Sequence, residues 1–300
     1  MKQMLFIINP KSGRTQIKSR LLEILDLFTK ADYEVQVHVT QGAQDAKNTV
    51  IQEGKGKDLI VCSGGDGTLN ETISGMMELK NCPPLGYIPA GSTNDFATSL
   101  RIPRPMLAAA QAAVEGREYA VDIGRFCENR YFVYVAGFGA FTEVSYLTPQ
   151  DKKNLLGHQA YMLEGVKSLA SIKSYQMKII SDEMTVEGEF IFGMITNTIS
   201  VGGFKGLVNQ AVALNDGLFE VLLIRTPKTP LELSNVVSSM FLKEEQNEFV
   251  YKFKTKTLKV EALEPVDWVL DGEFGGSRME VWVENLNKKL EIRRVSSKKL

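Results

Sequence analysis

Histidine is nearly absent from this 300-residue chain, which has only His38 and His158. Cysteine is scarce too: Cys62, Cys82 and Cys127 are odd in number, far apart and without a CxxC pair. A zinc site built from imidazole and thiolate is therefore not expected, nor is a disulfide framework, and a cytoplasmic chain is the natural reading. No apolar run approaches the roughly 20 residues of a membrane span. The opening run Met4–Ile8 is too short for a secretory signal, and no cleavage pattern follows it. A transmembrane segment is not expected, so any membrane contact is peripheral and transient. Charge of one sign is also lacking: the formal net charge is −1, and composition gives no reason to expect a nucleic-acid partner. Repeats and low-complexity segments are missing as well.

What is present is a globular balance, 44% hydrophobic and 24% charged. The length suits two domains or one large one. The first third alternates strand and helix signals. Met4–Asn9, Tyr33–Val39, Asp58–Cys62 and Leu85–Ile88 read as strands; Ile17–Lys30, Ala43–Glu53, Thr68–Leu79 and Met106–Glu115 read as helices. Strands separated by helix-length crossovers imply a parallel sheet. Near Ala120 the character changes to short β-rich runs: Val121–Phe126, Tyr131–Val135, Gln176–Ile180, Phe190–Thr196, Leu218–Ile224, Lys256–Val260, Trp268–Leu270, Met279–Val283 and Leu290–Val295. Helical stretches over His158–Ser171 and Pro230–Leu242 interrupt them. The fold class is thus α/β plus all-β. Residues 1–125 form an α/β nucleotide-binding domain, completed by 288–300, and residues 126–287 form a β-rich domain.

The strongest local signal is Ser63-Gly64-Gly65-Asp66-Gly67-Thr68-Leu69-Asn70-Glu71, which follows one strand and opens a helix. Its glycines let backbone approach a ligand without Cβ obstruction. The helix start offers free N–H groups to phosphate oxygens. A capped strand-to-helix turn is the plainer alternative. No GxxxxGK[ST] occurs, and Gly65-Asp66-Gly67 fails to complete GxGxxG because Asn70 stands at the last position. Two further small-residue loops follow strands, Asn9-Pro10-Lys11-Ser12-Gly13-Arg14 and Pro89-Ala90-Gly91-Ser92-Thr93-Asn94-Asp95-Phe96. Asn94 or Asp95 can orient a nucleotide or cap a helix. Three such loops at strand C-termini converge on the edge where open α/β sheets bind ligands. Lys11, Arg14, Lys18 and Arg20 cluster beside the first loop and read as a solvated face. The aromatic stretch Tyr131–Phe141 reads as core.

The set NPKSG, GGDGTLNE and PAGSTNDF, in this order, resembles the catalytic domain of diacylglycerol kinases and their bacterial relatives, a set shared with sphingosine and ceramide kinases. The resemblance continues through Val135-Ala136-Gly137-Phe138-Gly139, Leu214-Asn215-Asp216-Gly217-Leu218-Phe219 and Asp271-Gly272-Glu273. It implies a Rossmann-like three-layer N-terminal domain, a C-terminal β-sandwich lipid-substrate domain, and an active site in the cleft between them. It implies an ATP- and magnesium-dependent lipid kinase that transfers the γ-phosphoryl group to a lipid hydroxyl. Diacylglycerol, giving phosphatidic acid in phospholipid biosynthesis, is the leading acceptor. Asn9, Pro10, Lys11, Ser12, Gly13, Thr40, Gly64, Gly65, Asp66, Gly67, Thr68, Leu69, Asn70, Glu71 and Thr93 would surround ATP, with Asp66 close to its magnesium. Relatives often pair as dimers, so a homodimer is one expectation.

By the same resemblance Glu273 accepts the proton of the lipid hydroxyl, with Asp271 beside it. Read from residues alone, Asp271-Gly272 is more readily a hairpin turn than a catalytic element. Asp216 would hold a structural magnesium ion with the carbonyl groups of Ala213 and Leu218, an oxygen-only set suited to that ion. Here too an Asn-Asp-Gly turn is the alternative, and Asn215 stands where some relatives carry a second acid. Two other functions stay open: a kinase of the same superfamily acting on NAD, and a binding protein without turnover. The identity of the lipid is not legible.

Overall fold

A computed structural model describes residues 1–12, 17–91, 94–139, 173–198, 200–201, 204–205, 213–229, 231–232, 235–236 and 248–295. The helix expectations over 158–171 and most of 230–242 lie outside these residues, as do Gly13 and Thr93 of the expected nucleotide site.

The apolar runs of the first, third and fourth strands become strands buried on both faces, and the second is a partly exposed edge strand. β1 (Lys2–Ile8), α1 (Ile17–Lys30), β2 (Tyr33–Val39), α2 (Asp45–Glu53), β3 (Leu59–Gly64), α3 (Asp66–Met77) and β4 (Leu85–Pro89) succeed one another. The strands pair in parallel in the order β4-β3-β1-β2. Crossover helices cover such a sheet, which is why Met4, Leu5, Phe6, Ile7, Leu59, Ile60, Val61 and Cys62 have no exposed surface. Phe28 of α1 meets Phe6 edge-on, with ring centroids 5.3 Å apart. A short helix that the periodicity did not signal, α4 (Asp95–Ser99), precedes α5 (Met106–Glu115).

The remainder is antiparallel: β5 (Arg117–Phe126), β6 (Arg130–Phe132), β7 (Val135–Gly139), β8 (Tyr175–Ser181), β9 (Thr185–Thr196), β10 (Ser200–Val201), β11 (Phe204–Lys205), β12 (Phe219–Arg225), β13 (Val250–Thr255), β14 (Thr257–Leu270) and β15 (Glu273–Arg294). Its core gathers around Trp268, whose ring lies 5.3 Å from Phe126 and 5.0 Å from Phe138. Burying a ring of this size contributes about 2–3 kcal/mol. On β12, Phe219, Val221 and Leu223 join this core while Leu222 and Ile224 join the other, the alternation a pleated strand requires.

The two parts are one hydrogen-bonded sheet of 13 strands among the described residues. Sequence patterning gives two separate runs after Glu273, Met279–Val283 and Leu290–Val295, with the polar Asn285-Leu286-Asn287-Lys288-Lys289 between them. The chain instead passes through as the single strand β15. A register shift between Leu286 and Leu290, with Lys288 at φ 51°, absorbs the polar residues. One end of β15 pairs with β14 and its other end reaches β4 through Ile292 and Leu85. β14 likewise joins the expected runs Lys256–Val260 and Trp268–Leu270 across an irregularity between Glu261 and Val266. β13 is a further strand, which the expected runs did not include.

Candidate active site

The C-terminal ends of β1, β2, β3 and β4 lie on one edge of the parallel sheet, since Ile8 pairs with both Val39 and Ser63 and Gly64 pairs with Pro89. The three small-residue loops therefore meet. Asn9 organises the first. Its N–H donates to the Ser63 carbonyl (2.9 Å), its Nδ2 donates to Thr68 Oγ1 (2.8 Å), and its Oδ1 accepts from the Lys11 N–H (3.0 Å). Ser12 Oγ accepts from the Gly65 N–H at 3.2 Å, joining the first loop to the second. The second and third loops touch backbone to backbone: a Cβ on Gly91 would lie 2.8 Å from Gly65 Cα. Asn94, at φ 51°, holds the third loop closed by accepting from the Gly91 N–H (2.9 Å) and donating to the Gly91 carbonyl (2.7 Å).

The first two of these loops wall a cleft of about 430 Å³, within the range of ligand sites, and the third packs behind Gly65. Of the expected nucleotide residues, Asn9, Lys11, Ser12, Thr40, Gly65, Gly67, Thr68 and Glu71 line it, and Glu273 joins them from β15. Gln41, Gly42 and Ala43 line it too and were not expected. The Gln41 N–H donates to Asp45 Oδ2 (2.7 Å), which lowers the Asp45 carboxyl below the ordinary range and sets the rim. Pro10, Gly64, Asp66, Leu69 and Asn70 are not on the wall. Leu69 is core and Gly64 is buried.

Asp66 occupies the first turn of α3, where N–H groups lack helical partners. Its carboxylate accepts from the N–H groups of Asp95 and Asn94, but Oδ1 is buried with no partner. Burial, and then the nearby Asp95 and Asp271 charges, push the Asp66 carboxyl up to about 6. Asp95, 5% exposed, is thus part of this acidic group, although in the sequence it looks like a helix cap. An orphaned, buried carboxylate oxygen beside a phosphate-sized cleft fits a divalent cation carried by a nucleotide.

Asp271 and Gly272 do form the hairpin turn, between paired Leu270 and Glu273, with φ of 50° and 88°. The turn and the site are the same structure. The Asp271 carboxylate is 4% exposed and accepts from Val133 N–H (2.6 Å), Tyr134 N–H (3.0 Å), Val135 N–H (3.0 Å) and Asn70 Nδ2 (2.7 Å). Burial raises this carboxyl, and the four donors oppose the rise. With those acceptor sites used, Asp271 clamps α3 to β7 and aims the hairpin. The exposed neighbour is Glu273, whose Oε1 lies 3.3 Å from where a Cβ on Gly67 would stand. A side chain at Gly67 would press on this carboxylate.

The turn expected to hold structural magnesium lies apart from the cleft. Asp122, fully buried, accepts from the N–H groups of Gly217 and Lys288, both at 2.7 Å, and so ties this turn to β15. Asp216 Oδ1 accepts from the Leu218 N–H (3.1 Å), and its Oδ2 is 3.2 Å from Lys254 Nζ. Lys254 also lies 2.9 Å from Glu220 Oε1, while Glu220 Oε2 is buried without a partner. Burial raises the Glu220 carboxyl, against the pull of Lys254. The donors are oxygen-only, as a hard divalent ion requires, but no cluster of three acidic, His or Cys ligands exists among the described residues. Lys254, Glu220 and Asp122 were missed because nothing local in the sequence marks them.

Residues 3–126 match the family model for the diacylglycerol kinase catalytic domain. A Bacillus subtilis (strain 168) diacylglycerol kinase is 38% identical over 280 residues, 92% of this chain and 91% of the relative. A diacylglycerol kinase of Staphylococcus aureus (strain bovine RF122 / ET3-1) is 33% identical over 296 residues, 97% of this chain and 92% of its own. A crystal structure of a diacylglycerol kinase from Bacillus anthracis str. Sterne superimposes with a TM-score of 0.77 at 20% identity, covering 100% of this chain and 98% of that one. This last likeness concerns the fold alone, a mixed α/β architecture.

Proposed function

The chain belongs to the diacylglycerol kinase family, and from that premise we propose that it transfers the γ-phosphoryl group of ATP to the hydroxyl of diacylglycerol. It is a lipid kinase, and the NAD-phosphorylating alternative is not favoured. The observation that carries the reading is the approach of Glu273, from the β-rich part, to the first turn of α3 at the mouth of the cleft.

In this reading the N–H groups of Gly67 and Thr68, in the first turn of α3, hold phosphate oxygens, aided by the positive end of the α3 dipole. Lys11 offsets phosphate charge at the rim. Glu273 orients the acceptor hydroxyl and takes its proton as the oxygen bonds to the γ-phosphorus and the bond to ADP breaks. Asp271 is a positioning residue. Magnesium, when bound with the nucleotide, supplies charge neutralisation on the transferring phosphoryl group. Asp66 would hold it, while Asp216 with the carbonyl groups of Ala213 and Leu218 would hold a separate structural ion. The expected layout, residues 1–125 with 288–300 against 126–287, places the acceptor side on the β-rich domain. The enzyme then works from the aqueous side at a membrane surface; no described helix is long and apolar enough to cross a membrane.

The test is transfer from γ-labelled ATP into a panel of lipids in mixed micelles, with NAD as a further acceptor. Label should enter diacylglycerol, and Glu273→Gln should lower turnover by about 10²–10⁴ with folding unchanged, since the side chain is exposed. Label in NAD alone, or full activity in the variant, would overturn the assignment.

A further inference from the structure

Glu273 is exposed, and its carboxylate makes no hydrogen bond or ion pair among the described residues. Its aim is therefore set by the backbone that carries it. Glu273 follows a two-residue turn: it pairs with Leu270, and Asp271 and Gly272 stand between them. The central residues of such a turn lie outside the ladder, so their carbonyl groups find no partner across it. After the turn β15 borders β14 on one side only, until Val283 meets Phe126 of β5. Both gaps are filled from one short stretch, residues 130–134. Tyr134 Oη donates to the Asp271 carbonyl at 3.0 Å, and Arg130 Nη2 donates to the Phe274 carbonyl at 2.8 Å. Each donor is itself placed. Tyr134, 7% exposed, gives its N–H to Asp271 Oδ1 (3.0 Å), and its carbonyl accepts from Thr196 Oγ1 (2.6 Å) and from the Asn197 N–H (3.1 Å). Arg130 begins β6, where it pairs with Phe126.

The carbonyl groups before and after Glu273 are thus both held by side chains from the 130–134 stretch. We propose that Tyr134 and Arg130 are positioning residues for phosphoryl transfer: they fix the chain on either side of Glu273 and so aim a carboxylate that has no partner of its own. The proposal rests on the lipid-kinase reading, in which Glu273 receives the proton of the acceptor hydroxyl. A displacement of about 1 Å at a reacting group costs on the order of 10²-fold in rate, so hydrogen bonds that fix this chain bear directly on turnover. Neither residue lines the cleft. Nucleotide binding should therefore be indifferent to them, and their whole effect should pass through Glu273.

Steady-state kinetics with diacylglycerol in mixed micelles test it, alongside thermal melting of each variant. Tyr134→Phe keeps the ring and removes only the hydroxyl. It should lower kcat roughly ten- to hundredfold and leave the KM for ATP within about twofold of the wild type. Arg130→Met should behave alike, and Arg130→Lys, which keeps a donor, should recover most of the turnover. The deciding measurement is coupling. In a Glu273→Gln background, where no carboxylate remains to be aimed, Tyr134→Phe and Arg130→Met should lower kcat no further. Losses that multiply in that background would assign both residues to stability alone and overturn the proposal. So would full turnover of Tyr134→Phe and Arg130→Met in the presence of Glu273. Glu273→Gln by itself separates the two readings. If it is fully active, the assignment of the base falls and the proposal falls with it. If it is impaired while Tyr134→Phe and Arg130→Met turn over like the wild type, only the positioning role is lost.

Discussion

Replacing Asp66 by Asn should stabilise the fold at neutral pH while abolishing activity. Burial and two neighbouring carboxylates raise the Asp66 carboxyl from the ordinary 3.8 to about 6, about two pH units at 1.36 kcal/mol each, or about 3 kcal/mol. The folded state holds this proton more tightly than the unfolded chain does. The cost of the charge is therefore absent below pH ~4, grows between pH ~4 and ~6, and is complete above ~6. Asn keeps an oxygen to accept from the Asp95 and Asn94 N–H groups. Its amide replaces the orphaned Oδ1 and can donate toward the surrounding carboxylates. At pH 7.5, without nucleotide or divalent ions, the variant should be more stable by about 2–3 kcal/mol, several degrees in Tm. The gap should close as the pH approaches 4. Thermal melts of both proteins at pH 4.5, 6 and 7.5 measure it. A variant equal to or less stable than wild type at pH 7.5, or a gap independent of pH, would refute the assignment of a strained carboxylate at this position.

Asp271→Asn sets an amide against donors that now point at a carboxylate, and should cost about 3–5 kcal/mol; urea titration reads the loss. Gly91→Ala places a methyl group 2.8 Å from Gly65 Cα, so the two loops must part. Nucleotide affinity should fall, with about 1–3 kcal/mol of stability, as measured by calorimetric titration and melting. A chelator should abolish phosphate transfer. Added magnesium should raise the Tm of the nucleotide-free protein, by an increment that Asp216→Ala removes if that turn holds a structural ion.

Much of the cleft was legible because its determinants are local. Gly65, Asp66 and Gly67 must follow a strand and open a helix to work, and consecutive residues suffice to say so. Parallel topology then brings Asn9, Ser12, Thr40 and Gly65 to one edge without further information. The continuous apolar runs of β1 and β3, and the helical spacing of α1 and α5, follow from periodicity alone.

Other features depended on partners distant in sequence. Whether Asp271-Gly272 is only a turn could not be decided locally: the turn orients Asp271 toward N–H groups some 136 residues away and leaves Glu273 over Gly67. Asp95, Asp122 and Lys254 carry no local mark, because a buried charge is recognised only by what surrounds it. The polar run around Lys288 separates two expected strands, yet β15 runs through it, since pairing with β5 on either side outweighs local preference. The sequence alone determined the loops, their order and the type of reaction. Only the tertiary structure decided which carboxylates share a site, because electrostatic interaction acts over ångströms in space, whereas a motif acts over neighbours along the chain.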